Sequence, residues 1–305
     1  MNADPVLTLA DLESWARPGI ALAVLGHPIA HSLSPAMHNA ALAHLAQRDA
    51  RFRDWHYFRF DVPPADLPRA LALLHEKKFR GLNLTVPHKI IAFDLVADID
   101  AAARPIGAVN TLVWTERGWR GHNTDGYGLA TAVRETLDLE LRGSHVILLG
   151  AGGAARSAAV ECINQGCASL WIVNRTRENL NTLLDLLKPF AGREIPLCGS
   201  TLDTPLSNFP RGTIFIQATS LGLHAGDPSP IDLGKLPRPA GVFDMIYNPP
   251  ETALLAQARE LNIPCANGLA MLVHQGAKSL EIWTGAPTAK TAPIMLAAQA
   301  ALRDI

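Results

Sequence analysis

Cysteine is scarce, charge is balanced and no apolar stretch is long, and each shortage removes a class of function. The 305 residues include four cysteines, Cys162, Cys167, Cys198 and Cys265. None forms a C-x-x-C pair, and no neighbouring histidines complete a zinc pattern. They read as free thiols in or near a core, in a reducing cytoplasm. Eleven histidines are scattered without an H-E-x-x-H. His27 and His31 are separated by Pro28, which points to a loop rather than one helix face, so no metal site is expected. A net charge of -1 favours neither nucleic acid nor a membrane surface as a partner. Charged residues interrupt the apolar stretches before they reach about 18 residues, which argues against a transmembrane helix. Residues 1–17 lack the basic start and apolar core of a signal peptide, and none is expected.

What is present describes a globular protein with room for two cores, since 48% of the residues are apolar and 18% charged. The run Ala21-Leu22-Ala23-Val24-Leu25-Gly26 reads as a buried strand ending in a glycine turn. Ser34-Pro35 then opens a helix, with Ser34 as N-cap. Further strands are predicted over 55–62 and 81–86, with a helix ending at Lys78 between them. Residues 108–114 and 118–122 read as a hairpin. Beyond Asp125 the pattern changes. Val146-Ile147-Leu148-Leu149 is wholly apolar, as in a strand covered on both faces. An alanine-rich helix and a strand over 169–173 complete a βαβ unit. Strands are also predicted over 213–217 and 242–245, and helices over 268–283 and 287–302. The class is α/β in two lobes: an N-terminal α/β substrate domain and a doubly wound Rossmann nucleotide domain. The predicted domains are 1–125 plus 266–305, and 126–265.

The turn Gly150-Ala151-Gly152-Gly153-Ala154-Ala155 fits G-x-G-x-x-G/A between an apolar strand and a helix. Gly150 permits the tight turn, Gly152 lets a pyrophosphate approach the backbone, and the helix N-terminus favours the anion. An ordinary βα turn is the plain alternative. After the second strand, an NAD site usually carries an acid. This chain has Asn174-Arg175-Thr176-Arg177 instead. A guanidinium and a hydroxyl suit a 2′-phosphate, so NADP is the expected cofactor, although Arg177 also suits the start of a solvated helix.

Polar side chains gather in the first lobe. Ser32 and Ser34 stand at a helix N-terminus, a setting for a small carboxylate as well as for capping. Asn83 and Thr85 alternate with Leu82, Leu84 and Val86, which puts them on one face of a strand. Asn110 is read in another strand, and Asn123-Thr124 precede Asp125. Lys89 ends Gly81-Leu82-Asn83-Leu84-Thr85-Val86-Pro87-His88-Lys89, and Asp125 sits in Gly121-His122-Asn123-Thr124-Asp125-Gly126. An amine and a carboxylate in such loops, just before a dinucleotide turn, point to proton transfer coupled to hydride transfer. Each residue has a plainer reading in turn or cap chemistry; Asp125 before Gly126 also makes a fair N-cap.

These segments, with Gly26-His27-Pro28-Ile29-Ala30-His31-Ser32-Leu33-Ser34-Pro35, Gly107-Ala108-Val109-Asn110-Thr111, Ala218-Thr219-Ser220, Asp244-Met245-Ile246-Tyr247-Asn248-Pro249 and Gly268-Leu269-Ala270-Met271-Leu272 with Gln275, stand in the order that resembles the shikimate dehydrogenase family. The resemblance spans residues 22–285. It implies a hinged cleft and NADP-dependent, reversible reduction of 3-dehydroshikimate to shikimate, in aromatic amino-acid biosynthesis. It further implies Lys89 and Asp125 as the catalytic pair and Ser32 and Ser34 on the substrate carboxylate. Asn83, Thr85, Asn110 and Gln275 would meet the hydroxyls and carbonyl region, with Tyr247 lining the site. Gly150, Ala151, Gly152, Gly153, Ala154, Asn174, Arg175, Thr176, Thr219, Met245 and Gly268 would surround the cofactor. Two departures stand out: Asn179 where the family often has a further basic residue, and Gln217 in place of the usual asparagine before Ala218. A quinate/shikimate dehydrogenase with relaxed cofactor use, or a ligand sensor without turnover, are the alternatives. Monomer and homodimer are both open.

Overall fold

Short apolar runs become strands with few buried polar breaks in the computed structural model, which describes residues 5–203, 208–224 and 226–303. Two compact units result, one of residues 1–124 and 273–305 and one of residues 125–272. Strand β1 (Val6–Leu7) leads into helix α1 (Leu9–Glu13), where the Thr8 and Asp11 side chains cap each other's backbone. Then follow β2 (Ile20–Gly26), α2 (Ser34–Arg48), β3 (Trp55–Asp61), α3 (Leu67–Glu76), β4 (Gly81–Leu84), α4 (His88–Ile91), β5 (Asp98–Ile99), β6 (Thr111–Thr115) and β7 (Gly118–His122). The sheet order is β1-β3-β2-β4-β6-β7-β5. β1 to β4 run parallel, and the β6–β7 hairpin pairs antiparallel to β4. One face of this sheet, with Leu25, Phe60, Leu82, Leu112 and Trp119, shares a core cluster with Leu71 and Leu74 of α3 and with Phe79.

Three local expectations shift. Helix α3 stops at Glu76 instead of running to Lys78, because Lys78 takes a left-handed φ of 59°. The Phe79 amide then bonds the Leu74 carbonyl and the Lys78 amide the His75 carbonyl, while Phe79 and Leu74 are both fully buried. That is a Schellman ending, whose hydrophobic contact offsets the strain of a non-glycine residue there. Strand β4 ends at Leu84, so Thr85 and Val86 lie beyond it. Its antiparallel partner reaches only Asn83, and Val86 is 70% exposed rather than on a buried face. Asn110 stands one residue before β6, although its amide still bonds the His122 carbonyl.

The second unit contains α5 (Asp125–Leu137), β8 (His145–Leu149), α6 (Gly153–Asn164), β9 (Ser169–Val173), α7 (Arg177–Ala191), β10 (Leu197–Ser200), β11 (Ile214–Gln217), β12 (Gly241–Asp244), α8 (Ala253–Glu260) and β13 (Cys265–Asn267). All six strands are parallel, in the order β10-β9-β8-β11-β12-β13. Counted from β8 this is 3-2-1-4-5-6, the doubly wound Rossmann order, whose switch point lies between β8 and β11. Because β13 pairs with β12, the chain leaves this unit after Leu272, whereas residue 265 is the expected boundary. Helix α9 (Leu269–Thr284) then returns to the first unit, and α10 (Thr288–Arg303) packs on α2. Among the described residues no helix is long and apolar enough to cross a membrane, and no group of three or more His, Cys, Asp or Glu is arranged to hold a metal ion.

His38, on α2, is wholly buried with both ring nitrogens unpartnered, stacked on Tyr57 at 4.1 Å and 3°. Burial pushes its imidazole down from 6.5 to about 3. The unfolded chain therefore takes up a proton as pH falls below 6.5, and the folded chain does not until about pH 3. Stability is expected to drop across that window, by about 2 kcal/mol between pH 7 and pH 5 at about 1.36 kcal/mol per unit. Urea unfolding against pH measures it, and His38→Phe should flatten that part of the slope. An identical slope in the variant would refute the assignment.

Candidate functional site

In the first unit the predicted polar residues meet at the ends of β4 and β6 and on α9. The Asn83 side chain is 6% exposed. Its Nδ2 donates to the Asn110 carbonyl at 3.1 Å, with Thr111 Oγ1 at 3.2 Å and Ser279 Oγ at 3.0 Å. Tyr57 donates to Asn83 Oδ1 at 2.8 Å. Asn110 Oδ1 accepts from the Thr124 amide at 2.9 Å and from Thr111 Oγ1 at 2.9 Å. A backbone amide only donates, so the orientation of Asn110 is set. Its Nδ2 therefore faces Thr124 Oγ1 at 3.0 Å and Gln275 Oε1 at 3.2 Å. Gln275 in turn has its oxygen committed and its nitrogen as the donor end. Asn83, Asn110 and Gln275 thus form one array, while Thr85 packs its methyl against Gly26 in the turn after β4.

Sequence reasoning missed three members of this array, Tyr57, Thr111 and Ser279, whereas Thr124 stands among the polar residues it named. Thr111 adjoins Asn110, and Ser279 follows Gln275 by four positions, on one face of α9. Tyr57 left no signal, since it stands in the aromatic strand Trp55-His56-Tyr57-Phe58.

The serines differ from expectation. Ser34 is the first residue of α2, not its cap; Leu33 holds the N-cap position, with no side-chain cap bond. The Ser34 amide instead approaches Ser32 Oγ at 3.4 Å. The loop is held by Arg59, whose Nη1 donates to the Ala30 carbonyl at 2.6 Å. Lys89 lies in the four-residue α4, half-buried, its carbonyl accepting from the Val109 amide at 2.9 Å.

In the second unit every predicted cofactor residue stands at a strand's carboxyl end or opens the next helix. The glycine turn follows β8, where the Gly150 amide bonds the Val173 carbonyl and the Ala218 amide bonds the Leu149 carbonyl. These bonds bring the turn and Thr219 to the switch point. Gly150 has φ +122°, and a Cβ there would meet the Ala218 carbonyl at 3.0 Å. Ala151 leads to Gly152, the N-cap of α6, and Gly153 and Ala154 are in its first turn. A Cβ on Gly152 would meet nothing within 4 Å, so the approach to the helix N-terminus is open. Asn174, Arg175 and Thr176 follow β9, with Asn174 Nδ2 bonded to the Thr176 carbonyl at 2.8 Å. Arg175 is exposed, whereas Arg177 begins α7 and reaches Thr201 Oγ1 at 3.4 Å. Met245 and Tyr247 follow β12, and Gly268 follows β13. A Cβ on Gly268 would stand 2.0 Å from the Met245 carbonyl oxygen, so no side chain fits.

Two carboxylates complete this unit. Asp125 opens α5 at 2% exposure, so it is the first helical residue and not an N-cap; its Oδ2 faces Ser157 Oγ of α6 at 3.5 Å. Asp244 is fully buried, accepting from Thr252 Oγ1 at 2.7 Å and the Ile246 amide at 3.0 Å. Burial pushes its carboxyl up to about 6, and burial likewise raises the Tyr247 phenol.

Residues 24–112 match the model of the shikimate dehydrogenase substrate binding domain, and residues 268–287 that of the shikimate 5'-dehydrogenase C-terminal domain. A shikimate dehydrogenase (NADP(+)) of Symbiobacterium thermophilum is 39% identical over 273 residues, covering 88% of this chain and 90% of its own. Shikimate 5-dehydrogenase of Thermus thermophilus, solved in complex with NADP(H) and shikimate, is 33% identical with a TM-score of 0.76, over 92% of this chain and 99% of its own. Ligand-free 5-ketofructose reductase of Gluconobacter sp. strain CHM43 is also 33% identical, with a TM-score of 0.78 over 92% and 99%. Identity at this level along nearly the whole length joins both units to one lineage, and the chain belongs to the shikimate dehydrogenase family.

Proposed function

We propose that this protein catalyses the NADP-dependent, reversible reduction of 3-dehydroshikimate to shikimate. The observation that carries the reading is the glycine turn at the switch point with Arg175, and no acid, after β9, in a chain whose relatives are NADP(+) shikimate dehydrogenases. The donor set fits the cofactor. Gly150 to Ala154 and the start of α6 suit the pyrophosphate, and Arg175 with Thr176 suits the 2′-phosphate. Thr219, Met245 and Gly268 belong to the same ring of strand ends. NADPH supplies the hydride when bound.

The chain's own groups do the rest. Reduction of a ketone builds negative charge on its oxygen, and the Lys89 ammonium supplies both a positive charge and a proton there. Asp125 is the carboxylate of the acid–base pair. Ser32 and Ser34 receive the substrate carboxylate. The array of Asn83, Asn110 and Gln275, with Thr85, matches the hydroxyls and the carbonyl region, and Tyr247 lines the site. A cytoplasmic location belongs to the same proposal, in keeping with four free thiols.

Purified protein is expected to reduce NADP+ with shikimate at least about tenfold more efficiently than it reduces NADP+ with quinate, reduces NAD+ with shikimate, or oxidises NADPH with 5-ketofructose. Higher kcat/KM on another of these pairs would reassign the substrate or cofactor, and binding without turnover would indicate a sensor.

A further inference from the structure

We propose that Tyr57 is a positioning residue for the substrate: its phenolic hydrogen satisfies Asn83 Oδ1 and so holds the amide nitrogen against the Asn110–Thr111–Ser279 cluster. The inference rests on the activity proposed above. An amide side chain has two ends of opposite hydrogen-bonding sense, and its neighbours decide between them. The Asn110 carbonyl, 3.1 Å from Asn83 Nδ2, can only accept. Ser279 Oγ, 3.0 Å from the same nitrogen, accepts there whether its own hydrogen goes to the Gln275 carbonyl at 3.0 Å or to Thr111 Oγ1 at 2.7 Å. Asn83 must present nitrogen to both. Its oxygen then points at Tyr57, 2.8 Å away, and the phenol must donate.

Tyr57 is built to hold that post. It is wholly buried, so it meets no ligand itself. Asn39 clamps its backbone from both sides, accepting from the Tyr57 amide at 2.8 Å and donating to its carbonyl at 3.0 Å. The ring lies flat on His38. Burial raises the phenol well above its ordinary 10, against a smaller opposite effect of a hydrogen bond with Ser34, which keeps the hydrogen in place.

Without the hydroxyl, Asn83 Oδ1 is a buried acceptor with no donor, and the side chain loses the contact that holds its nitrogen against the cluster. Thr111 now donates to Asn110 Oδ1 at 2.9 Å, and Asn110 bonds Gln275. Because Asn83 Nδ2 also meets Thr111 Oγ1, a loosened Asn83 disturbs the array as far as Gln275.

Tyr57→Phe keeps the ring and its stack and removes one oxygen. The expected result is a roughly tenfold rise in KM for shikimate, the scale of one unsatisfied buried group, with KM for NADP within about twofold. In an Asn83→Ala background the same change should add nothing further. The Asn83 side-chain amide, observed by NMR in wild-type protein labelled with 15N-asparagine, should exchange at least about a hundredfold more slowly than a free amide. The inference is overturned by an unchanged KM for shikimate, by equal rises for both substrates, by an undiminished effect in the Asn83→Ala background, or by free exchange of that amide. Absence of wild-type turnover on shikimate would instead count against the proposed activity, while the amide measurement would still judge Tyr57.

Discussion

Replacing Lys89 with alanine is expected to lower turnover on shikimate by roughly 10²–10⁴, the usual contribution of a positioned acid–base group. The KM for shikimate should change by less than about tenfold, because in the proposed function Ser32, Ser34 and the amide array take most of the polar contacts with the substrate. The fold gives good reason to expect an intact variant. Helix α4 is anchored through its backbone, by the His88 amide on the Thr85 carbonyl and the Val109 amide on the Lys89 carbonyl. Neither bond involves the lysine side chain, which is half-buried on a four-residue helix. Lys89→Met, closer in volume, should show the same loss if charge and proton are what matter. Near-normal kcat in either variant would remove Lys89 from the chemistry.

The second large effect concerns the cofactor. Arg175→Ala is expected to raise KM for NADPH about ten- to a hundredfold and KM for NADH by no more than about twofold. The basis is one charge-assisted contact with the 2′-phosphate, worth about 1.5–3 kcal/mol, at about 1.4 kcal/mol per tenfold. Arg175 is exposed in the link between β9 and α7, and Asn174 ties that link to the Thr176 carbonyl. Arg177 is the control, since it starts α7 and reaches Thr201. Its replacement should shift the NADPH value by less than about threefold. Equal changes for the two cofactors in Arg175→Ala would defeat the assignment, and a larger effect at Arg177 would move the contact there.

The nucleotide half was the more legible. Val146–Leu149 is apolar throughout because a strand covered on both faces has no polar side to show. The glycines after it answer to backbone geometry that is local to the turn. The strand at Ser169–Val173 stands where the pattern put it. The polar half was harder. Alternation continues through Thr85 and Val86, yet β4 ends at Leu84, since pairing with β6 stops at Asn83. Ser34-Pro35 has the look of a cap, yet Leu33 occupies that position and Ser34 begins the helix. Both were decided by where the neighbouring chain runs.

By itself the sequence determined the alternating α/β class, the glycine turn, the basic link after β9, and a lysine and an aspartate in polar loops. All of these depend on residues within a few positions of one another, where φ/ψ preference and periodicity act. Only the tertiary structure decided which polar groups face each other. Tyr57 reaches Asn83 across 26 residues, and Ser279 reaches it across 196. Hydrogen-bond donors and acceptors choose partners by distance in space, and buried ones must find them there. That requirement turned three amides from candidates into an array with a defined donor and acceptor sense.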